Sequence, residues 1–164
     1  MRAAVAFRPA RLGDMKVLHE ACFGDRPLAQ FGDSFKRSLE AQRAGQRLHL
    51  LALAQRLPIA TGQLIAYSNS VEIADLAVAT AHRGKGLGTT LITVLSRVAV
   101  FADYDAVEIG VMKGNSRALA LYHRLGFVND REFSLTDSAS VLVLRKPLPA
   151  ELIDDVSQEA GDDG

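Results

Sequence analysis

A chain of 164 residues, 48% of them Ala, Val, Ile, Leu, Met, Phe, Trp, Tyr or Cys, is sized for one globular domain with an ordinary core and excludes two full-sized ones. Nineteen Lys and Arg balance nineteen Asp and Glu, which argues against nucleic acid as a partner. Six of the acids and none of the bases lie in residues 151–164, so residues 1–150 hold 19 basic against 13 acidic side chains. Such a body suits anionic small ligands, although a scatter of solvated arginines gives the same sum. The division expected is one domain over 1–148 and a disordered acidic tail over 149–164.

In chain order, residues 3–8 read as a short strand stopped by Pro9, too brief for the apolar core of a secretion signal. A helix follows from about Leu12, with Leu12, Met15, Leu18, His19 and Cys22 at helical spacing. Cys22 is the single cysteine, which rules out an intramolecular disulfide, a thiolate zinc cluster and a Cys-x-x-Cys redox pair. Nowhere do about 18 uncharged apolar residues run together. The reading is a cytoplasmic protein with no membrane partner and no metal.

Phe31, Phe35, Leu39 and Gln42 predict a second helix opened by Asp33 and closed by Gly45. Extended runs at 47–54 and 57–68, parted by Gln55-Arg56, predict an antiparallel hairpin. In the next run, 71–78, Val71 and Ile73 set one alternation and Leu76 and Val78 the other. A β-bulge slips the pattern in this way, and a fully buried strand tolerates it too.

Beyond Arg83-Gly-Lys-Gly-Leu-Gly88-Thr89 comes a long apolar helix, its stripe drawn through Leu87, Leu91, Val94, Leu95, Val98 and Phe101 and broadened by Ile92 and Ala99. Residues 106–112 alternate as a strand, and 115–125 place Ala118, Leu121, Tyr122 and Leu125 on one helical face ending at Gly126. Residues 127–128 and 139–145 read as closing strands. This order of elements predicts an α+β layered fold: a mixed, largely antiparallel sheet of about six to seven strands with helices on both faces.

Three glycines at a helix start weaken it by roughly 1 kcal/mol each relative to alanine, so helix stability does not select Gly84, Gly86 and Gly88. Bare backbone there, the unpartnered first amides, and the charges of Arg83 and Lys85 form an anion seat for phosphate or pyrophosphate. Tight packing is the other reason for such a turn. The spacing fails the P-loop pattern because Gly86 follows Lys85, and fits the dinucleotide fingerprint poorly because Thr89 holds its last glycine site.

Arg83, Gly86 and Gly88 do meet Arg/Gln-x-x-Gly-x-Gly/Ala, and here the sequence resembles the GNAT superfamily of N-acetyltransferases. Asn115-Ser-Arg-Ala-Leu-Ala-Leu-Tyr122, with Leu125-Gly126-Phe127 after it, is similar to the family's second signature, and Arg8-Pro9-Ala10 to its usual opening. The resemblance implies a GNAT-like fold and acetyl-CoA as cosubstrate. Its pantetheine arm is then bonded by strand backbone at Leu76 and Val78, and its pyrophosphate held by amides of Gly84, Lys85, Gly86, Gly88 and Thr89 beside Arg83. It also implies that Asn115 touches the pantetheine arm or CoA, with a helix cap as the plain alternative.

By the same resemblance Tyr122 protonates the departing thiolate, with a core tyrosine as the other reading. Glu72, eleven residues before Arg83, stands where lysine-acetylating relatives place a strand glutamate that acts as general base, with a solvated residue opening its strand as the other reading; Asp75 and the histidines rank behind it. The function implied is transfer of an acetyl group to a primary amine of a small molecule or peptide by direct attack in a ternary complex, since Cys22 is a poor nucleophile candidate. A non-catalytic acyl-CoA-binding module is the alternative, and a nucleotide-binding domain a more distant one. A homodimer is an analogy only. Residues 20–47 show no strongly acidic wall, which disfavours a polycationic acceptor, and neither the acceptor nor the acyl length is legible.

Overall fold

The computed structural model describes residues 4–149, and the tail expected over 149–164 lies, but for Pro149, outside the described residues. Seven strands are β1 (Val5–Pro9), β2 (Arg47–Ala54), β3 (Leu57–Ala66), β4 (Val71–Val78), β5 (Ala106–Met112), β6 (Val128–Thr136) and β7 (Ala139–Pro147). Among the described residues the α-helices are α1 (Met15–Cys22), α2 (Leu28–Arg43), α3 (Leu87–Phe101) and α4 (Ser116–Arg124). The strands form one sheet in the order β1-β2-β3-β4-β5-β7-β6. Its pairs β1·β2, β2·β3, β5·β7 and β6·β7 are antiparallel and β4·β5 is parallel, so the expected mixed sheet is present. The chain divides into two compact units, one of residues up to Ala66 with Ala74–Leu95, the other of Tyr67–Ile73 with the residues from Ser96 on.

In the first unit, Gln55 and Arg56 both take left-handed backbone (φ 50° and 69°), the geometry that lets a two-residue turn follow the twist of β2 and β3. Helix α2 begins at Leu28, five residues before the expected Asp33. Pro27 fixes the entry, and Asp33 lies on the exposed side of a helix whose apolar repeat already includes Phe31. Gly45, at φ 72°, ends it as expected.

Helices α1 and α2 cover one face of the sheet through a run of rings, Phe23 to Phe31 (5.0 Å), Phe31 to Phe35 (5.7 Å) and Phe35 to His49 of β2 (5.2 Å). The opposite face receives α3: a Cβ added to Gly62 of β3 would sit 3.1 Å from Leu95 and 2.8 Å from Leu76, so glycine admits both leucines. Helices on both faces are thus present within this unit. The buried side of α3 is Leu91, Ile92, Leu95, Ser96, Ala99 and Val100, whereas Phe101, assigned to the buried stripe, is 60% exposed. At roughly 100° per residue the true face centres on Leu95 and Ala99, and Phe101 falls on the far side of it.

In the second unit, β4 meets β5 at Glu72↔Glu108 and Ile73↔Ile109. Asn115 caps α4, its Oδ1 accepting the Ala118 N–H at 3.2 Å, and Gly126 (φ 91°) follows the helix end as expected. Strand β6 runs nine residues where two were expected. It lies at the sheet edge with every residue exposed, so Asn129-Asp-Arg-Glu132 carries no alternation of apolar and polar side chains to mark it.

His49 is buried among hydroxyls: Ser38 Oγ lies 2.9 Å from its Nδ1 and Thr61 Oγ1 3.0 Å from its Nε2. Desolvation, aided by the charge of Arg47, pushes its pKa down to about 4. The unfolded chain takes up this proton near pH 6.5, so it binds more protons than the folded chain between those values. The contribution of neutral His49 is complete above pH 6.5 and is lost as pH falls toward 4, by about 3 kcal/mol. Denaturant titrations from pH 7.5 to 4 check this: the wild type loses that stability, and His49→Gln removes this part of the dependence.

Candidate functional site

Two features of the first unit lie where the sequence predicts ligand contacts. At Asp75 the backbone of β4 turns left-handed (φ 51°), at the point where the alternation slips. Asp75 is exposed and Leu76, Ala77 and Val78 are half-buried, which agrees with a bulge and not with a fully buried strand. The Asp75 carboxylate accepts from Gln63 Nε2 at 2.9 Å, and Gln63 Oε1 accepts from Arg47 at 2.8 Å. Leu76 is fixed from behind, its side chain filling the space that Gly62 leaves.

The second feature is the turn into α3. Gly84 and Gly86 are left-handed (φ 72° and 82°), a conformation L side chains resist. Gly88 is not, and a Cβ added at any of the three would meet no atom within 4 Å. Tight packing is therefore not their reason. The first rung of α3 is the Thr90 N–H to Gly86 O bond at 3.0 Å, so the amides of Leu87, Gly88 and Thr89 precede any helical carbonyl. Arg83 Nε donates to Val78 O (3.0 Å) and Lys85 Nζ to Ala81 O (3.3 Å), which keeps both cations beside the turn. Bare backbone, free amides and two positive charges fit a pyrophosphate.

A cavity of about 460 Å³ adjoins this turn, lined by Leu76, Ala77, Thr80 and Arg83 and walled by the segment after α1, including Phe23 and Arg26. That segment's part was not legible in the sequence, because Phe23-Gly-Asp-Arg26 carries no spacing beyond a turn signal. Cys22 also lines the cavity, and burial pushes its thiol up to about 11, which suppresses the thiolate a nucleophile needs.

In the second unit Tyr122 stands half-buried on α4, its ring edge-on to Phe127 with centroids 6.0 Å apart. Burial raises its pKa, so the phenol keeps its proton at neutral pH. Asn115 uses one oxygen as the α4 cap. Glu72 is half-buried, and its Oε2 accepts from the Tyr67 hydroxyl at 3.0 Å. Glu108 and Arg131 beside it went unrecognised because only strand pairing brings them together, and Tyr67, five residues before Glu72 in the turn after β3, because nothing in Tyr67-Ser-Asn-Ser70 marks it as a partner. Among the described residues no group of three or more His, Cys, Asp and Glu could hold a metal, and no helix is long and apolar enough to cross a membrane.

Comparison with known proteins gives three kinds of match. Residues 14–127 match the model of the acetyltransferase (GNAT) family. A 55-residue stretch is 40% identical to the uncharacterized N-acetyltransferase YobR of Bacillus subtilis (strain 168), covering 34% of this chain and 22% of that protein's length. Among solved structures, the fold is similar to PaiA N-acetyltransferase from Thermoplasma acidophilum in complex with coenzyme A, at TM-score 0.72 and 17% identity over 88% of this chain and 99% of that one. It is also similar to ribosomal-protein-alanine N-acetyltransferase from Brucella melitensis, at TM-score 0.72 and 20% identity over 87% and 99%.

The open space at Gly88 separates ligand binding from folding. Gly88→Leu, measured by calorimetry with coenzyme A and by thermal melting, is expected to leave the melting temperature within a few degrees of wild type and to weaken binding at least tenfold.

Proposed function

Because the chain belongs to the acetyltransferase (GNAT) family, we propose that it transfers an acetyl group from acetyl-CoA to a primary amine of a small molecule or peptide, by direct attack in a ternary complex. The observation that carries this reading is the glycine turn, whose three bare positions face open space and serve no packing within the chain. Its amides from Gly84 to Thr89, with Arg83 and Lys85, bind the pyrophosphate. Backbone groups at Leu76 and Val78 hold the pantetheine arm, and the Asn115 amide nitrogen, which the cap leaves unused, is assigned by the family resemblance to the same ligand. The thioester supplies an activated acyl group.

Around that group the chain's own residues handle protons. Tyr122, kept neutral by burial, donates its hydroxyl proton to the departing sulfur. Glu72 receives the proton of the incoming ammonium, directly or through water; at pH 7 a lysine-type amine is neutral in only about one molecule in a few thousand, so this step matters. The buried, protonated thiol of Cys22 supports transfer without a covalent enzyme intermediate. In this reading residues 1–148 act as one functional domain in the reducing cytoplasm, a compartment supported by the lone cysteine.

The test is release of free coenzyme A across amino acids, polyamines, lysine peptides and peptides with free N-termini. Tyr122→Phe keeps the ring and removes the proton, so kcat is expected to fall about 100-fold with little change in KM for acetyl-CoA. Wild-type rates in that variant overturn the role of Tyr122, and binding without release for any amine overturns the activity.

A further inference from the structure

We propose that Arg131 sets the amine selectivity of a cavity in the second unit, restricting it to primary amines that carry one positive charge; this rests on the acetyl-transfer reading above. The cavity holds about 310 Å³ and includes Glu72, the residue assigned to receive the amine proton. That volume lies at the lower end for ligand pockets and suits an alkylamine or a lysine side chain.

Paired strands create an electrostatic problem here. Glu72 and Glu108 are register partners on β4 and β5, which sets two carboxylates on one face at about the spacing of neighbouring strands. Like charges so placed repel. Arg131 of β6 resolves this by a fork of two bonds to Glu108, Nη1 to Oε1 and Nη2 to Oε2, each 2.9 Å. Asp130 accepts from Nη1 at 2.8 Å and steadies the guanidinium at the rim. One carboxylate is thereby neutralised and the other is not.

Among the cavity's lining residues, Glu72, Glu108 and Arg131 carry one net negative charge, the complement of one ammonium; Asp130, bonded to the same guanidinium, lies outside the lining. Glu72 Oε2 is held by the Tyr67 hydroxyl, and its Oε1 faces Gly110, being 3.7 Å from where a Cβ would stand. The remaining lining is Ser70 and the apolar surface of Gly110, Val141, Val143 and Phe133, which suits methylene groups. A second ammonium on the same chain would lie against that surface or against Arg131, without an anionic partner. Glu108, whose side chain is 13% exposed, is the group that would receive it if Arg131 were gone.

The experiment titrates the full chain by calorimetry with butylamine, diaminobutane and Nα-acetyl-lysine amide, and follows acetyl-CoA turnover with the same amines. Wild type is expected to bind the diamine no more than about threefold better than butylamine. Arg131→Met should raise that ratio at least tenfold, and adding Glu108→Gln should cancel the gain. Arg131→Lys, which retains charge but not the fork, should give an intermediate ratio and covers the case in which the Met variant does not fold. Tighter binding of the lysine amide than of butylamine identifies a peptide lysine as the source of the amine, and equal binding a free alkylamine; both support the assignment. Turnover with a ratio that Arg131→Met and Arg131→Lys leave unmoved overturns the selectivity assignment while acetyl transfer stands. Amine binding that follows the expected pattern without turnover overturns acetyl transfer while the cavity assignment stands.

Discussion

A helix cannot bond its own first amides, and at the start of α3 none of the described residues packs against the glycine positions. Gly84, Gly86 and Gly88 keep side chains away, while Arg83 and Lys85 bond to nearby carbonyls and hold positive charge at the same turn. The rest of the first unit supports that exposed backbone. Leu95 and Leu76 meet over Gly62 and anchor the body of α3 to the sheet, so the turn projects from a packed base. At position 88 neither backbone conformation nor packing against the described residues requires glycine.

Much of this was legible because it is local. The hairpin at Gln55-Arg56, the slip in β4, the glycine turn, the Asn115 cap and the Gly126 stop each depend on residues within one turn or strand of each other, and each appears where its residues predict. The missed features depend on the sheet. Strand β6 has no buried residue and therefore no pattern, the stripe of α3 is decided by what packs on it, and α2 starts early because Pro27 outweighs Asp33 as an entry signal. In the site, the residue types of the motifs could be read, but the partnership of Arg131 with Glu108 arises only once strands are in register, and that of Tyr67 with Glu72 only once the turn after β3 is folded.

His49 of the first unit and Arg131 of the second show two uses of polar groups. In the first, His49 is shut in with Ser38 and Thr61 and stays neutral, so its hydrogen bonds order α2 against β2 without placing charge in the core. In the second, charge is kept and paired near the surface. The Arg131 fork holds its guanidinium, half-exposed, against a carboxylate on a neighbouring part of the sheet, and both carboxylates raise its pKa.

The outermost strand carries one more consequence. An edge leaves one side of its backbone free to recruit another strand, and β6 adds to that hazard the exposed side chains Val128, Phe133 and Leu135. Asp130, Arg131 and Glu132 interrupt the stretch with charges of both signs, so a foreign strand docking there would have to strip water from three ions in succession. Ion pairing along β6 thus acts as a gatekeeper against aggregation as well as a lining for the cavity, and Asp130 and Glu132 preserve part of that protection wherever Arg131 is replaced.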